Sequence, residues 1–206
     1  MSKKKRVGLM GGIFNPIHLG HMLVAENACE ALNLDEVVFV PCGKSHMKEC
    51  ALDAKTRISM IGEGIIDNSH FALSTLEVDR EGFSYSYETI EWFKKQNPDT
   101  EYFFIMGADA LMKFEQWKNP DRILKEVPVV VAPRPTVSTE MLEAKINELK
   151  SKYEYADFRL LSMSGVDISS SMIRKKVKEG RSIRYLVHYK VIEYIKRNHI
   201  YMDEEE

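Results

Sequence analysis

An α/β fold, with a parallel sheet covered by helices on both faces, is what three features of the sequence predict. Short runs of apolar, β-branched or aromatic residues read as strands buried on both sides: Val7-Gly8-Leu9-Met10, Val37-Val38-Phe39-Val40, Tyr102-Phe103-Phe104-Ile105-Met106 and Val127 to Ala132. Stretches of helical periodicity separate these runs. Strand, helix and strand also fit within the first forty or so residues, the spacing of a βαβ unit.

Taken in order, the first strand ends at the pair Gly11-Gly12, which signals a tight turn. Leu19, Met22, Leu23, Ala25, Ala28 and Leu32 then recur at helical spacing up to Asn33, and the second strand closes at Pro41. Arg57 to Ile66 reads as a helix, Phe71 to Leu76 as a strand and Tyr87 to Phe93 as a helix. The fourth strand stops at Gly107, and the fifth is bracketed by Pro128 and Pro133. An amphipathic helix over Thr139 to Lys152 precedes a short strand at Phe158-Arg159-Leu160-Leu161. Two helices finish the chain: Ser169 to Lys178, opened by serines able to cap it, and Ile183 to Asn198. No repeat or linker interrupts this alternation. The expectation is therefore one Rossmann-like doubly wound domain over residues 1–206, with 165–206 as its C-terminal helical portion.

Composition narrows the function classes. At 206 residues, with 44% hydrophobic and 29% charged, the chain can bury a core without disulfides or metals. Lys plus Arg total 29 and Asp plus Glu 31, a net charge of −2, so charge offers no reason to expect nucleic acid or an anionic membrane as partner. Three cysteines are too few for a secreted disulfide framework. The basic run Lys3-Lys4-Lys5-Arg6 is followed by too short an apolar stretch for a signal peptide or a membrane span. A cytoplasmic location is expected; a homo-oligomer is left open.

The chemistry concentrates in Gly11-Gly12-Ile13-Phe14-Asn15-Pro16-Ile17-His18-Leu19-Gly20-His21. This segment follows the first strand, at the end where open α/β sheets bind ligands. Its glycines let backbone N–H groups approach a phosphate, and the next helix adds its positive end. His18 and His21, three apart, can face one crevice and stabilise charge developing on phosphoryl oxygens. The plainer alternative is a turn followed by two histidines that cap or pack. Two other nucleotide motifs fail. Gly43-Lys44-Ser45 resembles the end of a P-loop, but the required upstream glycine would fall at Val38, within a strand. The spacing of Gly8, Gly11 and Gly12 is wrong for a dinucleotide fingerprint. Cys42, His46 and Cys50, four apart, would share a helical face and suit zinc, yet Pro41 and Gly43 argue for a loop and no fourth ligand is evident, so no metal site is assigned.

Gly11 to His21 resembles the G-G-[ST]-F-D-P-x-H-x-G-H signature of the nucleotidyltransferase α/β-phosphodiesterase superfamily. Further matches follow in order. Lys48 stands where a Pro-Pro-His-Lys loop is usual, and Glu81-Gly82-Phe83-Ser84-Tyr85-Ser86 with Thr89 matches an E-x-P-S-Y-T-x-x-T-like segment. Gly107-Ala108-Asp109, Trp117, Arg134-Pro135 and Ile168-Ser169-Ser170-Ser171-Met172-Ile173-Arg174 complete the set. From Val7 to about Tyr201 the chain is similar to bacterial nicotinate-nucleotide adenylyltransferases. That resemblance implies an enzyme of NAD biosynthesis that transfers AMP from ATP to nicotinic acid mononucleotide, with Mg²⁺ held mainly by the ATP phosphates.

It also implies roles. His18, His21 and Arg174 would be catalytic. ATP would meet Gly11, Gly12, Ile13, Phe14, His18, His21, Gly107, Asp109, Ile168, Ser169, Ser170 and Arg174. The mononucleotide would meet Asn15, Lys48, Ser84, Tyr85, Thr89, Trp117 and Arg134. For Asp109 a helix N-cap competes with ribose binding, for Trp117 core packing competes with pyridine stacking, and for Arg174 a surface ion pair competes with phosphate. Ile13 and Asn15 depart from the usual Ser/Thr and Asp. A related enzyme such as phosphopantetheine adenylyltransferase is the nearest alternative, disfavoured by chain length and by the segment from Gly107 to Trp117. A catalytically silent nucleotide-binding regulator is the alternative from another class.

Overall fold

The computed structural model describes residues 4–44 and 52–202. Six parallel strands form one sheet: β1 (Arg6–Gly12), β2 (Glu36–Pro41), β3 (Phe71–Leu73), β4 (Glu101–Gly107), β5 (Val129–Ala132) and β6 (Phe158–Leu160). Their spatial order is β3-β2-β1-β4-β5-β6, the doubly wound arrangement. The helices are α1 (Leu19–Leu32), α2 (Ala54–Ile65), α3 (Leu76–Asp79), α4 (Ser86–Gln96), α5 (Ala108–Leu111), α6 (Pro120–Glu126), α7 (Thr139–Lys152), α8 (Ser170–Lys178) and α9 (Tyr189–Arg197).

Alternation along the buried strands builds two cores. Met10, Val37, Phe39, Phe103, Ile105 and Val130 point to one face, where they meet Ala25 and Ala28 of α1, Met60 and Ile61 of α2, Ile173 of α8 and Val191 of α9. Leu9, Val38, Val40, Phe104, Met106 and Val131 point to the other, against Ile90 of α4, Leu111 of α5, Ile123 of α6 and Leu142 of α7. The central strands are hydrophobic on both sides along their middle positions because both faces of the sheet are covered.

Several elements differ from the sequence expectation, among them β3, which ends at Leu73 because Leu76 already opens α3. β1 runs through Gly11 and Gly12, which pair with Val40 and Pro41, so the irregular loop begins only at Ile13. The short helices α3, α5 and α6 carry too little periodicity to be read from sequence. The last helix begins at Tyr189 rather than Ile183. Tyr185 adopts a left-handed φ of 64°, and Arg184 bridges to Val187, so a turn buries Ile183 and Val187 before α9 starts.

Candidate active site

β1 lies between β2 and β4, so the connections leaving β1 and β4 turn to opposite faces of the sheet and open a crevice at its carboxyl edge. A cavity of about 450 Å³ occupies this position. Its walls include Gly11 and Gly12 at the end of β1, Ile13, His18 and His21 beyond it, Gly107 at the end of β4 and Asp109 just after it. Arg134 follows β5, Ile168 precedes α8, and Ser84, Tyr85 and Trp117 line it as well.

His18 is the N-cap residue of α1 and His21 lies in its first turn. Their rings stack with centroids 3.6 Å apart, and the backbone N–H of His18 donates to Nδ1 of His21 at 3.3 Å. A neutral His21 that accepts at Nδ1 carries its proton on Nε2. Gly20 permits this arrangement, because a Cβ there would stand 3.0 Å from Nδ1 of His18. Phe14, itself buried, braces His21 edge-on at 5.0 Å. Burial, reinforced by the charge of Arg134, lowers the His18 pKa to about 4. Burial, then His18 and Arg134, hold His21 well below the usual imidazole range. Both rings are therefore neutral at pH 7 and offer N–H donors rather than positive charge.

Arg134 draws three connections together. Its Nη1 lies 2.6 Å from Asp109, and its Nη2 donates to the Ile168 carbonyl at 2.7 Å. Thr136 adds a hydrogen bond to Asp109 at 3.2 Å. Arg134 thus sits among residues expected at ATP, although the resemblance assigned it to the mononucleotide. Gly107, not Asp109, is the N-cap of α5, which removes the capping alternative for Asp109.

Phe14, Asn15, Ser169, Ser170 and Arg174 lie beside the cavity rather than on its wall. Ser169 caps α8 by accepting the Met172 N–H at 3.2 Å. Arg174 donates to the Asn15 carbonyl at 2.8 Å and to Ser171 at 3.3 Å. The start of α8 therefore abuts the loop that carries His18, and two segments far apart in the chain meet at one rim. Among the described residues no carboxylate pairs with Arg174.

Another part of the cavity wall is organised around Glu77, which the sequence reading did not single out. Glu77 is buried and lines the cavity; Thr89 donates to its Oε1 at 2.7 Å, and Ser84 donates to its carbonyl at 3.1 Å. Burial raises its pKa, while Thr89, Arg80 and Cys42 oppose the shift. A Cβ at Gly43 would stand 2.0 Å from the Glu77 carbonyl oxygen, so that position accepts only glycine. Thr89 is buried against Glu77 and leaves the wall to Ser84 and Tyr85. Trp117 both packs and faces the cavity, meeting Phe104 edge-on at 6.1 Å and Phe114 at 5.6 Å. Lys113 and Lys118, on either side of it, also line the wall.

Arg57 was likewise missed. It is buried on α2 and donates at 2.8 Å to both the Ile13 and the Cys42 carbonyls, tying the connections after β1 and β2. In sequence it is one charge on an amphipathic helix, with no local signal to set it apart. Lys48 and the His46 and Cys50 of the weighed zinc loop lie outside the described residues. Among the described residues no group of three His, Cys, Asp or Glu side chains could hold a metal.

A family model described as cytidylyltransferase-like matches residues 9–176. The chain is 38% identical to a Lachnoclostridium phytofermentans protein named "Probable nicotinate-nucleotide adenylyltransferase", across 96% of this chain and all of that one. A Thermoanaerobacter protein of the same name is 37% identical over 100% of this chain and 99% of its own length. The chain belongs to the cytidylyltransferase-like family, among the nicotinate-nucleotide adenylyltransferases. The fold of this nucleotidyltransferase also matches a Plasmodium falciparum nicotinic acid mononucleotide adenylyltransferase complexed with NaAD. That match has a TM-score of 0.80 at 21% identity and covers 98% of this chain and all of the other. Among the described residues no helix is long and apolar enough to cross a membrane.

Proposed function

We propose that this chain transfers AMP from ATP to nicotinic acid mononucleotide, releasing pyrophosphate and forming deamido-NAD. The observation that carries the reading is one cavity whose wall holds two unlike sets of residues: the paired histidines with Arg134 and Asp109, and Tyr85 and Ser84 with Trp117. The first suits a triphosphate and ribose, the second an aromatic acid.

The chemistry follows from that contrast. An oxygen of the mononucleotide phosphate attacks the α-phosphorus in line. The new P–O bond forms as the bond to the β-phosphate bridging oxygen breaks, and pyrophosphate leaves with the electron pair. The nucleophile is already ionised, so no protein base is required and positioning dominates. Neutral His18 and His21 donate N–H bonds to the oxygens that gain charge, with no proton transfer. Arg174, with the N-terminus of α8 opened by Ser169 and Ser170, receives the departing phosphates. Asp109 is neutralised by Arg134, and Glu77 is held by Thr89, which fits Mg²⁺ arriving with ATP as part of the substrate.

We read residues 1–206 as one such catalytic domain, acting in the cytoplasm. Pyrophosphate release tests the reaction, with ATP and either the acid or the amide mononucleotide, each with and without Mg²⁺. Turnover with the acid is expected. ATP binding without pyrophosphate release would overturn the reading in favour of a silent regulator.

A further inference from the structure

We propose that Tyr201, near the far end of the chain, is a positioning residue for the ATP triphosphate, acting through Asn15 on the loop that carries His18. The inference rests on reading this cavity as an ATP site.

After β1 the chain is irregular from Ile13 to the start of α1, with Phe14 at a φ of 51°. This loop is gripped from beyond residue 169. The Tyr201 hydroxyl donates to Oδ1 of Asn15 at 2.5 Å. Arg174 donates to the Asn15 carbonyl at 2.8 Å, and Ser170 to the Pro16 carbonyl at 2.9 Å. On the other side of His18, the Leu19 N–H donates to the Leu186 carbonyl at 2.8 Å. His18 therefore lies between two anchors, both made by the C-terminal helical portion. Tyr201 is itself fixed: Ile200 beside it is buried, and its N–H bonds the Ile195 carbonyl at 3.0 Å.

Neither Asn15 nor Tyr201 lines the cavity, so the hydroxyl reaches ATP only through the loop. A reacting group displaced by about 1 Å can lose up to 10²-fold in rate, so the direction of the His18 ring is worth holding. Tyr201 holds it through the side chain of the residue that departs from the family's usual Asp.

Tyr201→Phe removes the hydroxyl and keeps the ring. Its kcat is expected to fall about tenfold, the worth of one hydrogen bond, with the mononucleotide KM and the melting temperature near wild type. Affinity for a non-hydrolysable ATP analogue, measured by titration calorimetry, is expected to weaken several-fold. In an Asn15→Leu background the same substitution should cost less than about twofold, because the acceptor is gone. An unchanged kcat and analogue affinity would overturn the proposal. So would a lowered melting temperature with unaltered kinetics, or an undiminished loss in the Asn15→Leu background. If the wild-type chain transfers nothing to the mononucleotide while analogue affinity still drops in Tyr201→Phe, the functional reading fails and the positioning role stands.

Discussion

Two parts of the cavity wall are built on opposite electrostatic plans. Around the histidines, two titratable rings are kept uncharged by burial, and Arg134 is neutralised by Asp109. Around Glu77 a carboxyl group is buried and used as a local strut, joining Thr89 through its side chain and Ser84 through its carbonyl. The first presents uncharged donors. The second holds a shape. Neutral donors cost little to bury and gain strength from the low dielectric when an anion arrives. A buried acid is worth its desolvation only where its hydrogen bonds fix neighbouring chain segments.

The comparison breaks first at His18. His18→Ala should lower kcat by about 10²–10³-fold with the fold intact, since one preorganised donor is lost; steady-state pyrophosphate release beside a thermal melt measures both quantities. A near-normal rate would make the ring purely structural.

Acid then separates the two parts. The folded His18 pKa of about 4 lies below its unfolded value, so on acidification the unfolded chain takes up the proton first. The stability from its neutral form is complete above about pH 6.5 and is lost as pH falls toward 4. Between about pH 7.5 and 4.5 that loss should reach about 2–3 kcal/mol in urea unfolding. Glu77, whose pKa is raised, acts in the opposite sense: the cost of burying its charge is relieved as pH falls. Glu77→Gln should therefore steepen the acid loss. A slope that Glu77→Gln leaves unchanged would show that Glu77 carries no burial cost.

Smaller effects should stay around Glu77. Gly43→Ala forces a methyl group into the Glu77 carbonyl and should cost about 1–3 kcal/mol, with a raised mononucleotide KM and an unaltered KM for ATP. Thr89→Val removes one donor from a buried carboxyl group and should cost about 1–2 kcal/mol, again without effect on ATP. Initial-rate kinetics against each substrate in turn would check both; a shift in the ATP constant would mean the two parts are not separable.

The parallel sheet and the glycine- and histidine-bearing loop were legible because their signals are contiguous. The strands other than β6, which Arg159 interrupts, announced themselves as apolar runs, and Gly11 to His21 is a single stretch that begins in the last two residues of β1. Ile183 to His188 misled, because apolar spacing there reflects burial in a turn and not a helix. Glu77, Arg57 and Tyr201 were silent because no local pattern marks their partners: Thr89, the Ile13 and Cys42 carbonyls, and Asn15.

The sequence by itself determined which segments are strands, where the turn that carries the two histidines lies and which residue types are available to it. These depend on spacing and backbone preference within a dozen residues. Only the tertiary structure decided that the two imidazoles are neutral, that Arg134 faces Asp109, and that residues beyond 169 hold the loop before His18. Protonation and pairing depend on how deeply a group is buried and what faces it, and both are set by segments that meet only when the chain has folded.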